Sequence, residues 1–287
     1  MDNMSVQCDS NTLYIERNVE EILREPPSES PCLDYKQTPY KKGNRCDVIK
    51  DVIAMLNSRE ALGEDKWIIF GVSDDKKLLG INADKMPDDN EWRSILSKIE
   101  PEPSFLVGTV KKGLKTFGYI FISKRNTEWI YRTRETITDS NNDRPKSRKT
   151  IQQGKSYIRY GASNIPLDDK ERKNLEQSVF KFRFKRLWAV IKDDLNSKNV
   201  LIALALMGSC QKGYYGDEEI ISELAGLRVD VCKHFLSNVI NLHREIIVFK
   251  DGAWCCTNHK ELLSVIEGCI EEETIETFFK SARSVFS

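Results

Sequence analysis

Apolar and polar positions along the chain alternate between strand and helix periods up to about residue 178 and become mainly helical beyond it. LYIERNVEEIL, residues 13–23, carries apolar side chains at helical spacing, and Pro26 and Pro27 end the helix it predicts. CLDYKQ reads as a short extended segment, and DVIKDVIAML, residues 47–56, as a helix with Val48, Val52 and Leu56 on one face. A loop over residues 57–65 leads into WIIFGV, a continuous apolar run of strand length. The turn SDDKK and the segment LLGI are expected to close a hairpin on it. A helix is predicted over residues 91–99, then a second hairpin from residues 105–110 and 116–123 around a lysine-rich turn at 111–115. Residues 138–150, TDSNNDRPKSRKT, read as a basic loop and SYIRYG as a strand. SNIPLDDKER reads as a helix start capped by Asp168 or Asp169.

The period changes near residues 179–190, where FKFRFKRLWAVIK passes from alternation to helical spacing, so domains are expected over 1–178 and 179–287. Three helices follow: NVLIALALMGS, DEEIISELAG with Asp217 as cap and Gly226 as stop, and RVDVCKHFLSNVINL. EIIVFKDGAWCCT then predicts two strands about an Asp251-Gly252 turn. Helices followed by a hairpin are the order of a winged helix, and the fold class expected for the whole chain is α+β. No internal repeat is visible.

Composition narrows the setting. No apolar run reaches the roughly 18–20 residues of a membrane span. The opening MDNMSVQCDSNT lacks the basic and apolar regions of a secretory signal. The eight cysteines are scattered without CxxC or Cys/His spacing, which points to free thiols in a reducing cytoplasm. Basic and acidic residues balance at 44 each, but over residues 111–159 thirteen Lys/Arg stand against four Asp/Glu. That excess can neutralise phosphates, or it can be an ordinary solvated surface. The winged-helix region has the opposite balance, about five Lys/Arg to seven Asp/Glu, which argues against a DNA-reading role and for contacts within or between chains.

Three carboxylates invite a chemical reading. Glu29 and Asp34 precede and enter the first strand, and Asp74 follows WIIFGV. Lys36, two residues after Asp34, leaves the strand on the same face. Convergent carboxylates of this kind are hard-oxygen ligands for Mg²⁺ or Mn²⁺, and a nearby lysine can orient a nucleophile or neutralise a phosphate. The odd spacing of Glu29 and Asp34 requires a bend at Pro31 before both can reach one ion. Carboxylates at strand ends are more often simply solvated, so the pattern alone leaves the choice open. In YIRYGASN, Arg159 and Asn164 can bond phosphate or sugar oxygens and Gly161 permits close backbone approach. Lys146, Arg148 and Lys149 in the preceding loop suit phosphate contacts that carry no sequence information.

Four segments, in order over residues 29–166, together resemble the Schlafen/AlbA-2 family: ESPCLDYK, AMLNS, WIIFGVSDDKKLLGI and YIRYGASN. The resemblance implies a mixed sheet with helices and a metal-dependent endoribonuclease acting on structured RNA, transfer RNA being favoured. It assigns Glu29, Asp34 and Asp74 as metal ligands for Mg²⁺ or Mn²⁺, with Lys36 beside them. Two departures stand in this sequence: Asp34 replaces the family's usual glutamate, and the loop after Asn57 lacks the family's two glycines. Family members also include DNA-binding regulators, so a non-catalytic nucleic-acid binder is the alternative, and a protein-interaction adaptor a third. The resemblance implies a two-lobed groove of which a single copy of the segments offers half, so a homodimer or higher assembly is expected. The acidic, apolar ending ETIETFFKSARSVFS would suit a fragment of a longer protein.

Overall fold

A computed structural model describes residues 3–41, 43–126, 130–139, 149–191, 200, 202–203, 218–243, 247–250 and 253–256 of the chain. Contacts divide it into two units, Met1–Glu176 and Gln177–Ser287.

The apolar run WIIF lies inside the first unit because both of its faces are covered. It forms β2 (Lys66–Phe70), parallel to β1 (Leu33–Lys36) and antiparallel to β5 (Lys115–Ile122), which pairs in turn with β4 (Phe105–Lys112). The sheet order is β1-β2-β5-β4. Strand period sends Trp67, Ile69, Phe117, Tyr119 and Phe121 to one face, where they meet Ile15, Val19 and Leu23 of α1 (Asn3–Arg24). Those three helix residues are four apart and form a single stripe. Ile68, Phe70, Ile120 and Ile122 face the other way, onto α2 (Arg45–Leu56) and Trp92, Ile95 and Leu96 of α3 (Asp89–Leu96). A parallel β1–β2 pair needs a crossover connection, and α2 supplies it.

Small ladders complete the unit. β3 (Ile99–Glu100) pairs with β6 (Arg132–Thr133), β7 (Ile137–Thr138) with β8 (Thr150–Ile151), and β9 (Tyr157–Tyr160) with β10 (Ser163–Pro166). Three expectations are refined here. LLGI closes the 73–77 turn on WIIFGV through the antiparallel bridge Val72–Leu78 and the bond from Leu79 N to Gly71 O at 2.8 Å, but it forms no strand along β2, whose edges β1 and β5 occupy; Ile81 bridges Thr116 instead. SNIP is not a helix start but the strand β10. Helix α4 (Asp169–Ile191) begins after it, where Asp168 Oδ1 accepts from Glu171 N at 2.7 Å. The loop expected over residues 138–150 is closed at its base by β7 and β8.

In the second unit, α5 (Glu218–Ala225) ends at Gly226, whose φ of +64° suits a left-handed helix stop. Leu227 N closes that turn on Ser222 O at 2.9 Å. Next come α6 (Val229–His243) and the antiparallel pair β11 (Ile247–Lys250) and β12 (Ala253–Cys256). Most of the helix expected over 199–209, the proposed cap Asp217 and the Asp251-Gly252 turn lie outside the described residues. Among the described residues no helix is long and apolar enough to cross a membrane.

Candidate functional site

β1 exposes neither of its faces fully. Leu33 and Tyr35 enter the core beneath α1, so strand alternation turns Asp34 and Lys36 toward α2. Asp34 is 2% exposed, and on this face it meets Arg159 of β9, which is 1% exposed. Arg159 Nη2 lies 2.9 Å from Asp34 Oδ1. Its remaining donors reach Ser30 O at 3.1 Å, Asn164 Oδ1 at 3.1 Å and Leu33 O at 3.5 Å. The other Asp34 oxygen lies 2.7 Å from Lys36 Nζ, as a close ion pair set off the hydrogen-bonding direction.

The chain of charges continues into α2. Lys36 Nζ is 3.4 Å from Asp51 Oδ2, which also accepts from Tyr40 Oη at 2.7 Å, and Asn164 Nδ2 donates to Asp51 Oδ1 at 2.7 Å. Burial works to lower the Lys36 pKa, but the Asp51 and Asp34 carboxylates outweigh it and hold it above the ordinary lysine value. Burial, reinforced by Asp51, pushes Tyr40 well above the usual phenol range. One network thus ties β1, α2, β9 and β10 together, with two carboxylates against two cations at its centre.

Asn57, at the end of α2, fastens the neighbouring layer. Its Nδ2 donates to Tyr131 O at 2.8 Å and Tyr157 O at 2.9 Å, and its Oδ1 accepts from Tyr131 N at 2.8 Å. All three amide groups are engaged, and the residue is buried. This asparagine is a strand clamp.

The three expected metal ligands do not gather. Glu29 is half-buried, and its Oε1 accepts from Tyr35 N at 2.8 Å. Burial first, and the adjoining Asp34 carboxylate after it, raise its pKa, although the Tyr35 amide pulls the other way. Asp34 is turned inward and held by Arg159 and Lys36. Asp74 sits exposed in the 73–77 turn. Among the described residues no group of three His, Cys, Asp or Glu side chains is placed to hold a metal ion. A Mg²⁺ or Mn²⁺ ion would have to displace two cations from Asp34, so this arrangement does not fit a three-carboxylate centre, and no step is assigned to a metal.

The expected phosphate contacts fall in different settings. Arg159 and Asn164 spend their polar atoms inside the network. Lys149 lies against Asp47, its Nζ 2.7 Å and 2.9 Å from the two carboxylate oxygens. Lys146 and Arg148 lie outside the described residues. Sequence reasoning missed Asp51 and Tyr40. The signal for Asp51 was a lone acid within VIKDVIAML, a helix buried on nearly every side.

The family model described as "Schlafen, AlbA_2" matches residues 29–168, which contain every member of the network. No curated protein matches the chain. Six solved chains do. One is the crystal structure of the DIP2311 protein from Corynebacterium diphtheriae, with 16% identity and a TM-score of 0.34 over 59% of this chain. The aligned part is only 29% of that protein's chain. At that level the likeness carries no functional argument. The family match does, because its four segments are the ones that meet in space: residues 29–168 belong to the Schlafen AlbA_2 family, a family associated with nucleic-acid binding.

Proposed function

We propose that this domain binds nucleic acid through cations on its surface, and that Asp34, Lys36, Arg159 and Asn164 serve as the scaffold beneath that surface. One observation carries the reading. Within the basic stretch, Lys111, Lys124, Arg125 and Lys155 are exposed and form no salt bridge among the described residues. Unpaired surface cations keep their full charge for phosphates, and binding releases the counterions that those phosphates hold. Structured RNA, transfer RNA included, is the favoured partner, taken up by a two-fold pair of chains.

Fluorescence anisotropy of a labelled transfer-RNA transcript tests this, with light scattering of the free and bound protein for the pair. Affinity should fall steeply as salt rises, by about one unit of log–log slope per phosphate engaged. Absence of binding at low salt to any RNA or DNA would refute it.

Metal-dependent RNA cleavage is a second reading, which the family match suggests and which requires Asp34 to leave Arg159 and Lys36. Cleavage of folded RNA that requires Mn²⁺ or Mg²⁺ and is lost in Asp74→Ala, with the unfolding midpoint unchanged, would put this reading first. Retention of cleavage in EDTA would remove the metal from it.

A further inference from the structure

The four-stranded sheet ends on β4, and the β4–β5 hairpin has a tip unlike the rest of the surface. The ladder runs to Lys112 paired with Lys115, so only Gly113 and Leu114 form the turn. Gly113 has φ +60° and Leu114 is not among the positive-φ residues, which is the type II′ pattern. That turn asks for glycine at its first central position and places no apolar demand on the second. Leu114 is nevertheless the occupant, and at 107% relative exposure it is the most exposed of the large apolar side chains described. Lysines surround it in sequence: Lys111, Lys112 and Lys115.

Two of these lysines brace the hairpin. Lys112 Nζ donates to Leu23 O at the end of α1, and Lys115 Nζ donates to Leu78 O at 2.6 Å. The hairpin stem is therefore fastened on one side to α1 and on the other to the 73–80 segment. Nothing lies within 4 Å of the space a side chain at Gly113 would fill, so the tip itself stands clear. Lysines on an edge strand also discourage pairing with other chains, which accounts for their presence on β4. It does not account for a leucine at the apex between them.

From this juxtaposition we infer that the β4–β5 hairpin is the element that grips a nucleic-acid duplex, with Lys111 and Lys115 on the phosphates and Leu114 wedged against a base step. The inference rests on the nucleic-acid reading above and names its contact element. A two-stranded ribbon is narrow enough to enter a groove, and apolar side chains at such tips can part stacked bases. A single leucine is a small anchor for a lipid surface but the right size for one base step.

The test uses the full chain with fluorescein-labelled RNA and DNA duplexes, and the same duplexes carrying 2-aminopurine, which brightens on unstacking. Lys111→Ala with Lys115→Ala should flatten the log–log salt slope by about two units. Leu114→Ala should weaken binding by roughly tenfold and abolish the 2-aminopurine signal, whereas Leu114→Phe should keep it. The RNA and DNA arms show which duplex is taken. Thermal unfolding should be the same for the Leu114 variants, since Leu114 makes no core contact, and the lysine variant, which loses the Lys115–Leu78 brace, is compared at a temperature where it is fully folded. Duplex binding with unchanged slope and signal in these variants would overturn the hairpin and leave the nucleic-acid reading standing. No binding to any nucleic acid would overturn both. Leu114-dependent capture on phosphatidylserine vesicles without duplex binding would assign the tip to membranes and also overturn the inference.

Discussion

Charged residues serve opposite ends in two regions of the first unit. Beneath α2, Asp34, Lys36, Asp51 and Arg159 lie in one web of ion pairs and hydrogen bonds that joins four elements. At the β4–β5 hairpin, lysines crowd an exposed tip with no carboxylate paired to them among the described residues. A buried pair contributes little net stability compared with a well-packed apolar pair, but removing one member strands the other in a medium that cannot solvate it. A solvated lysine costs almost nothing to lose and has its charge free for a partner. On the proposed reading the residues that mark the family in sequence are architectural, and the contact surface falls on residues outside those segments.

The largest expected effects come from splitting the web. Asp34→Ala should destabilise the first unit by about 3–5 kcal/mol in denaturant unfolding, because it leaves the buried Arg159 guanidinium with no carboxylate, and Arg159→Ala by less, because Lys36 still pairs with Asp34. Asp34→Leu combined with Arg159→Met should recover most of that loss. If the double variant were as unstable as either single one, the coupling assigned to this pair would be wrong.

Asn57 comes next. Asn57→Ala leaves two buried carbonyls and one N–H without their partner, at about 2–3 kcal/mol in total. Asn57→Asp is nearly isosteric but turns an acceptor toward both carbonyls, so its unfolding midpoint should fall at least as far. A neutral Asn57→Asp would remove the clamp.

Glu29 offers a smaller effect with a definite sign. Its folded pKa is raised above the ordinary 4.5, chiefly by burial, so the native state holds the proton more tightly than the unfolded chain does. Stability associated with this group is then present below pH 4.5 and is lost as pH rises through the raised value. Glu29→Gln should flatten that slope in pH-dependent unfolding and be neutral to stabilising at pH 7. A steeper acid-side slope in the variant would contradict it. Smallest of all, Lys111→Ala should change stability by less than about 0.5 kcal/mol, as for surface sites generally.

Much of this contrast was legible in the sequence, up to the point where non-local packing decides. WIIF and α2 showed as continuous apolar runs because each is buried on more than one side. The two-residue spacing of Asp34 and Lys36 correctly placed them on one face, but period two does not say which face a second layer will cover. Here α2 and β9 cover it, and that turns a candidate metal ligand into half of an internal ion pair. The hairpin that LLGI closes is shorter than its apolar length suggests for a related reason: β1 and β5 take both edges of β2, so pairing stops at Val72–Leu78. Gly113 lay in the expected turn region, but the ladder extends into the lysines and shortens the turn to two residues, which is what isolates Leu114. Asp51 stood as a charge in an apolar helix, and its partners come from other elements: Lys36 of β1, Tyr40 and, 113 positions away, Asn164.

The division between scaffold and contact surface is tested most directly by duplex affinity in two folded variants, Asp34→Leu/Arg159→Met and Lys111→Ala/Lys115→Ala, measured by anisotropy across a salt series. The account predicts that the first binds with the wild-type salt slope and that the second loses about two units of it. A wild-type slope in the lysine variant, with binding lost in the folded Asp34/Arg159 variant, would contradict it and return the family segments to the nucleic-acid surface.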